Sequence, residues 1–156
     1  MVSNYILGIS GFYHDSAAAL VKDGVVIHAA QEERFTRIKN DARFPTQAIK
    51  FILDSQNIQA SDIDQVIFYD KPWLKFERIL ESSIRFAPYS FKNFLMSMPS
   101  WLSEKFNMRK LITKELTLIS EDFSTQEILF SEHHFSHAAS SFYTSQFKDA
   151  CSITID

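Results

Sequence analysis

From Tyr5 to Ala30 the chain reads YILGISGFYHDSAAALVKDGVVIHAA. Three short apolar runs stand in this stretch: YILGIS at 5–10, SAAALV at 16–21 and VVIHAA at 25–30. The last two are separated only by Lys22-Asp23-Gly24. An Asp-Gly pair between apolar runs is a strong hairpin signal, because both turn residues must take positive φ. The stretch therefore predicts three strands, the second and third joined tightly. The first connection, GFYHD, is longer than a tight turn and carries His14 and Asp15. Glycine is scarce, with three copies in 156 residues, and Gly8 and Gly11 both fall near this first loop. The backbone there is expected to need freedom.

Downstream, Pro45 suits the first turn of a helix. Ala48, Ile49, Ile52 and Leu53 then form an apolar stripe at helical spacing. The helix is predicted over 45–56, followed by a turn or short cap at 61–64 and a buried strand at 65–69. Hairpin, helix and strand in this order give a mixed α/β pattern. Residues 72–110 differ in kind: they hold three of the four prolines and both tryptophans. Helices are predicted near 73–84, 90–96 and 99–110, as a helical insertion packed on the sheet, with its aromatics mainly in the core. A strand follows at 127–130, then a helix over 134–143 with Ser131 as its N-cap, and a last strand CSITID that stops at Asp156.

Hydrophobic residues make up 46% of the chain and charged residues 22%, an ordinary globular composition. The formal net charge is −3 and the pI about 5.9, with no electrostatic footprint for nucleic acid or an anionic membrane. Cys151 is the single cysteine, so no intrachain disulfide can form, as expected of a cytoplasmic protein. The stretch MVSNYILG does not read as a signal peptide. No apolar run approaches the roughly 18 residues that span a bilayer.

Three of five histidines fall in SEHHFSH, residues 131–137. His133 and His137 are four apart, so on a helix both rings share one face and can reach one cation. His134 points about 100° away. Two histidines make half a metal site; ordinary surface or core histidines are the other reading. Asp156 is the best further ligand in the chain, because it ends a predicted strand and ligands gather at the carboxyl ends of strands in open α/β sheets. A His₂-carboxylate set suits iron(II), zinc or manganese. A metallohydrolase is a weaker reading, since no general-base glutamate stands between the histidines. Cys151 reads as a small hydrophobe rather than a nucleophile.

Three motifs in order, GISGFYHDSAAALV, QEERFTRIKNDARFPTQAI and SEHHFSHAASSFYTS ending in TID, resemble the start of the nodulation-type O-carbamoyltransferases, which include antibiotic carbamoyltransferases. The resemblance covers 5–56 and 127–156, and no motif matches between about 70 and 125. It implies the N-terminal lobe of an actin-like, ribonuclease-H-like ATPase domain. It implies that carbamoyl phosphate and ATP give carbamoyl adenylate in a separate C-terminal domain. The actin-like domain then moves the carbamoyl group to a hydroxyl of a small-molecule acceptor. It implies a ferrous iron ion, Fe(II), that contacts the nucleotide phosphate, with His133, His137 and Asp156 among its ligands and a further aspartate from a second lobe. The family motif also has a histidine and an aspartate at His14 and Asp15. His14 could accept the acceptor hydroxyl's proton. Arg34 or Lys39, placed at the cleft rim, could hold a phosphate or the carbamoyl oxygen; a salt-linked surface turn is the alternative. Members of the family continue past TID into the second lobe and the adenylate-forming domain, so residues 1–156 are expected to be the N-terminal lobe of a longer chain, inactive alone. A non-catalytic interaction lobe that keeps the fold is the rival reading.

Overall fold

The computed structural model describes residues 3–71 and 107–154. The opening stretch forms the three strands its pattern predicts: β1 (Tyr5–Ser10), β2 (Ala17–Lys22) and β3 (Val25–Gln31). They pair antiparallel, β1 with β2 and β2 with β3. Asp23 and Gly24 take φ of 50° and 83°, so the β2–β3 turn uses the left-handed region at both central positions. A four-residue helix, α1 (Glu33–Thr36), follows, then α2 (Thr46–Gln56), with Pro45 at its N-cap. α2 closes on Asn57 in the left-handed conformation. Strand β4 (Gln65–Phe68) comes after a short 3₁₀ turn at Ala60–Asp62.

Among the described residues the remaining elements are α3 (Met108–Thr117), a 3₁₀ turn at Glu121–Thr125, β5 (Ile128–Phe130) and α4 (His133–Tyr143). β4 lies parallel to β1, and β5 parallel to β4. The result is an α/β fold on a five-stranded mixed sheet of order β3-β2-β1-β4-β5. Its opening meander and flanking helices agree with the sequence.

Alternation sets what is buried. Leu7 and Ile9 of β1, Ala18 and Leu20 of β2, and Val66 and Phe68 of β4 all belong to the core. The Ala48, Ile49, Ile52 and Leu53 stripe of α2 joins them, as its spacing predicted. Burying four such positions on one helix contributes about 1.5–3 kcal/mol for each large aliphatic side chain.

Three boundary expectations are corrected. Of the helix predicted over 99–110, residues 99–106 lie outside the described residues, and the helix at Met108–Thr117 runs seven residues past the predicted end. Met108, Ile112 and Leu116, four apart, carry its buried stripe beyond 110. The helices predicted near 73–84 and 90–96, and most of the 72–110 insertion, lie outside the described residues. Ser131 does not cap the histidine helix; the N-cap position falls at Glu132, whose side chain makes no capping bond, because the Ser131 N–H donates to the Phe68 carbonyl (2.9 Å) and prolongs the β4–β5 ladder. The helix accordingly starts at His133. The terminal run is not a strand over its described part, residues 151–154. A ladder needs a sheet edge, and Cys151, Ser152 and Ile153 lie exposed, paired with neither β3 nor β5. Asp156 lies outside the described residues.

Candidate active site

Strand directions decide where the chemistry collects. β3, β1, β4 and β5 all run in one sense, because β3 is antiparallel to β2 and β2 to β1. The loop after β1, the short helix after β3, residues 69–71 after β4 and the start of α4 after β5 therefore share one edge of the sheet. This is the edge at which open α/β sheets place their ligands.

The loop after β1 is held in an unusual shape. Phe12 and Asp15 take φ of 68° and 50°, the left-handed region that non-glycine residues rarely visit, at about 1–2 kcal/mol for each residue. Packing and hydrogen bonds fix both. The Phe12 N–H donates to the Ala42 carbonyl (2.8 Å), and its ring lies 5.7 Å from Phe44 and 6.3 Å from Phe68. The Ser16 N–H donates to the Asp41 carbonyl (2.9 Å), and the Ser16 hydroxyl donates to the Arg43 carbonyl. Gly11 sits where a Cβ would meet the Pro45 ring at 3.3 Å.

Between these clamps, His14 Nδ1 lies 2.8 Å from Asp15 Oδ2. A carboxylate can only accept, so in this contact Nδ1 carries the proton, and in the neutral imidazole Nε2 keeps a free lone pair. The Tyr13 ring lies 4.6 Å from the His14 ring, tilted by 48°. The two residues singled out in the sequence are thus in direct contact, His14 exposed and Asp15 partly buried.

The second motif acts as a brace. Glu32 is only 3% exposed. Its carboxylate accepts from the Gln47 and Ala48 N–H groups (3.1 and 2.9 Å), the open first turn of α2. Its own N–H donates to the Ser16 carbonyl (2.8 Å). Asp41, also 3% exposed, accepts from Arg43 Nε and Nη2 (3.0 and 2.7 Å), from the Arg43 N–H (3.1 Å) and from the Thr36 hydroxyl (2.7 Å). The Arg43 guanidinium first, and the Thr36 hydroxyl second, hold its carboxyl far below the usual range. Arg34 and Lys39 remain solvent-exposed; Arg34 lies 3.5 Å from Glu33.

On α4, His133 and His137 meet as their spacing predicts: Nε2 to Nε2 is 3.1 Å and the rings cross at 88°. Two nitrogens at that separation, each about 2.1 Å from one ion, would subtend about 95° at it. With a proton on one ring, the same pair forms a hydrogen bond. His134 lies to one side, its ring 5.9 Å from that of His133. Among the described residues no third His, Cys, Asp or Glu completes a metal-sized cluster, and Asp156 lies outside them.

Residues 69–71 bind the helix to the sheet edge. The Ser136 hydroxyl donates to the Tyr69 carbonyl (2.9 Å), and Lys71 Nζ lies 3.3 Å from Glu132. His133, Ser136 and His137 share one helical face, so this bond aims both imidazoles at the end of β4. The Tyr69 ring packs 5.7 Å from His133. Burial, then the Asp70 charge, then Tyr13 push its phenol up to about 12. Sequence reasoning did not single out Tyr69, Ser136 or Glu32. The available signal was the Tyr-Asp pair closing the strand QVIFYD, where an apolar run turns polar at its carboxyl end.

The sequence profile of the carbamoyltransferase N-terminus matches residues 5–156. The chain belongs to this family. An uncharacterized protein of Synechocystis sp., sll1178, is 48% identical over 97% of the chain. The nodulation protein NolNO of Sinorhizobium fredii is 36% identical over 93% of it. An uncharacterized 19.2 kDa protein of Rhizobium etli shares 43% over 60 residues. The chain spans 25% and 20% of the length of the first two relatives. The motif resemblance of the sequence is therefore upheld at the level of the carbamoyltransferase N-terminus. The matched span also takes in residues 70–125, for which no motif was recognised.

Proposed function

We propose that this carbamoyltransferase N-terminus is the metal-binding lobe of an O-carbamoyltransferase, which moves a carbamoyl group from carbamoyl adenylate to a hydroxyl of a small-molecule acceptor. The observation that carries the reading is the convergence on one sheet edge of the His14–Asp15 pair and the His133–His137 pair. A sheet ordered β3-β2-β1-β4-β5, antiparallel in its first three strands and parallel in its last, supports a ribonuclease-H-like, actin-like lobe.

In this reading His14 Nε2 takes the proton of the acceptor hydroxyl as its oxygen bonds to the carbamoyl carbon. The bond from that carbon to the adenylate oxygen breaks, and AMP departs with the electron pair. Asp15 keeps the proton on Nδ1 and stabilises the imidazolium that forms. His133 and His137, with Asp156, would hold a divalent ion such as Fe(II). When bound, such an ion supplies positive charge that stabilises phosphate and developing oxyanion. Arg34 and Lys39 are solvent-exposed beyond β3 and add cationic reach for phosphate. Carbamoyl phosphate and ATP are the co-substrates of the longer protein, working in the cytoplasm, and its second lobe and adenylate-forming domain complete the cleft. No helix among the described residues is long and apolar enough to cross a membrane. Helix α4 buries none of its residues fully, which leaves surface for those parts to cover.

The test is metal analysis and carbamoyl transfer on the full-length protein with His133→Ala, His137→Ala and His14→Ala. The first two are expected to lose bound metal and transfer together. His14→Ala is expected to keep metal and lose transfer on the order of 100-fold. Full metal and full transfer in both helix variants would overturn the site.

A further inference from the structure

We propose that the Tyr69 hydroxyl is a substrate-binding group, a neutral hydrogen-bond donor for a phosphate oxygen held between the His133–His137 pair and the His14 loop. The inference rests on the function proposed above and adds a residue to it. Position is the first argument. β4 lies between β1 and β5, and each neighbour's carboxyl end carries one half of the site. Tyr69 is the first residue beyond β4, so it stands between the two halves.

Its placement is fixed from both sides. The Tyr69 N–H donates to the Ile9 carbonyl (3.1 Å), and its carbonyl accepts from the Ser136 hydroxyl (2.9 Å). Its ring is wedged against Phe68 (5.1 Å) and against the His133 imidazole (5.7 Å). A side chain this constrained loses little freedom on binding. The body of the ring joins the edge of the core, while its hydroxyl, which bonds to none of the described residues, is open to solvent or a ligand. A partly buried tyrosine ordinarily directs its hydroxyl to a partner. Beside a histidine pair that can gather a cation, the fitting partner is an anionic oxygen. A phenol is a donor at neutral pH and brings no second charge to the cluster. If Tyr69 served only as packing, phenylalanine would serve as well, and that difference is the test.

Tyr69→Phe keeps every ring contact and removes one oxygen. The experiment is calorimetric titration of the metal-loaded full-length protein and of Y69F with two probes, AMP and inorganic phosphate. Metal content and thermal midpoint are measured in parallel, and carbamoyl transfer is assayed on the wild type. The expected result is unchanged metal content and midpoint, with AMP binding weakened on the order of 10-fold, as for one hydrogen bond to a charged group. A matching loss for inorganic phosphate identifies a general phosphate site, and a loss confined to AMP identifies a nucleotide site. Both outcomes support the donor role. Equal affinities of wild type and Y69F for both probes overturn it. A wild type that neither transfers carbamoyl groups nor binds AMP overturns the proposed function, and this inference with it. Failure of the Tyr69 role alone shows as wild-type transfer with unaltered Y69F.

Discussion

Replacing Glu32 tests the brace that joins the second motif to the first. Its carboxylate closes two N–H groups at the start of α2, 15 and 16 residues away in sequence. Glu32→Ala leaves both donors buried or half-buried with nothing to accept them. Each unsatisfied donor costs about 1–3 kcal/mol, and the helix also loses a negative charge at its positive end, worth about 0.3–1 kcal/mol. Water can re-enter beside exposed Gln47, so the lower half of the range applies there. The sum is about 4 kcal/mol. For a unit of this size that lowers the thermal midpoint by about 8–16 °C. Glu32→Gln keeps one acceptor oxygen and turns an amide against the other N–H, so it should lose about half as much.

The assay is thermal unfolding followed by far-ultraviolet circular dichroism, with both variants and wild type side by side. The order wild type, Gln, Ala separates the acceptor role from side-chain volume, since glutamine fills the same space. An alanine variant within about 1 °C of wild type would refute the reasoning. A glutamine variant as damaged as alanine would show that charge, not hydrogen-bond acceptance, governs the contact.

Asp41 gives a pH dependence. Its folded carboxyl lies below the unfolded value, so its stabilisation is complete above about pH 5 and is lost as pH falls toward the folded value. Wild type should therefore lose stability in acid more steeply than Asp41→Asn, with a constant gap above about pH 5; parallel urea-unfolding profiles between pH 2.5 and 7 would contradict this. Ser136→Ala cuts the tie between α4 and the end of β4 without touching either histidine. Metal affinity should fall about 10-fold, as for loss of an orienting contact, while the midpoint drops by only about 2–4 °C; unchanged affinity in a metal titration would remove the aiming role.

What sequence could and could not reveal follows from the range of the interactions. The hairpin rested on Asp23 and Gly24, whose positive φ is a local demand, and the α2 stripe on one helix's own periodicity. His133 and His137 were legible for the same reason, because four residues of helix bring them together whatever surrounds them. Glu32 and Asp41 were not. Charged residues are almost never fully buried unless paired, and EERFTRIK gives no sign that Glu32's partners are the backbone of a helix more than a dozen residues on. Ser131 misled in the same way. Its side chain suits a cap, but its backbone was claimed by Phe68 of β4, more than 60 residues earlier. The site combines both kinds of contact. Its chemical groups sit in local pairs, His14 with Asp15 and His133 with His137, and long-range backbone bonds hold those pairs on one edge. A substitution in either pair should therefore change chemistry while sparing the fold. A substitution at Ser16, Glu32 or Asp41 should lower the thermal midpoint before it changes what the site can bind.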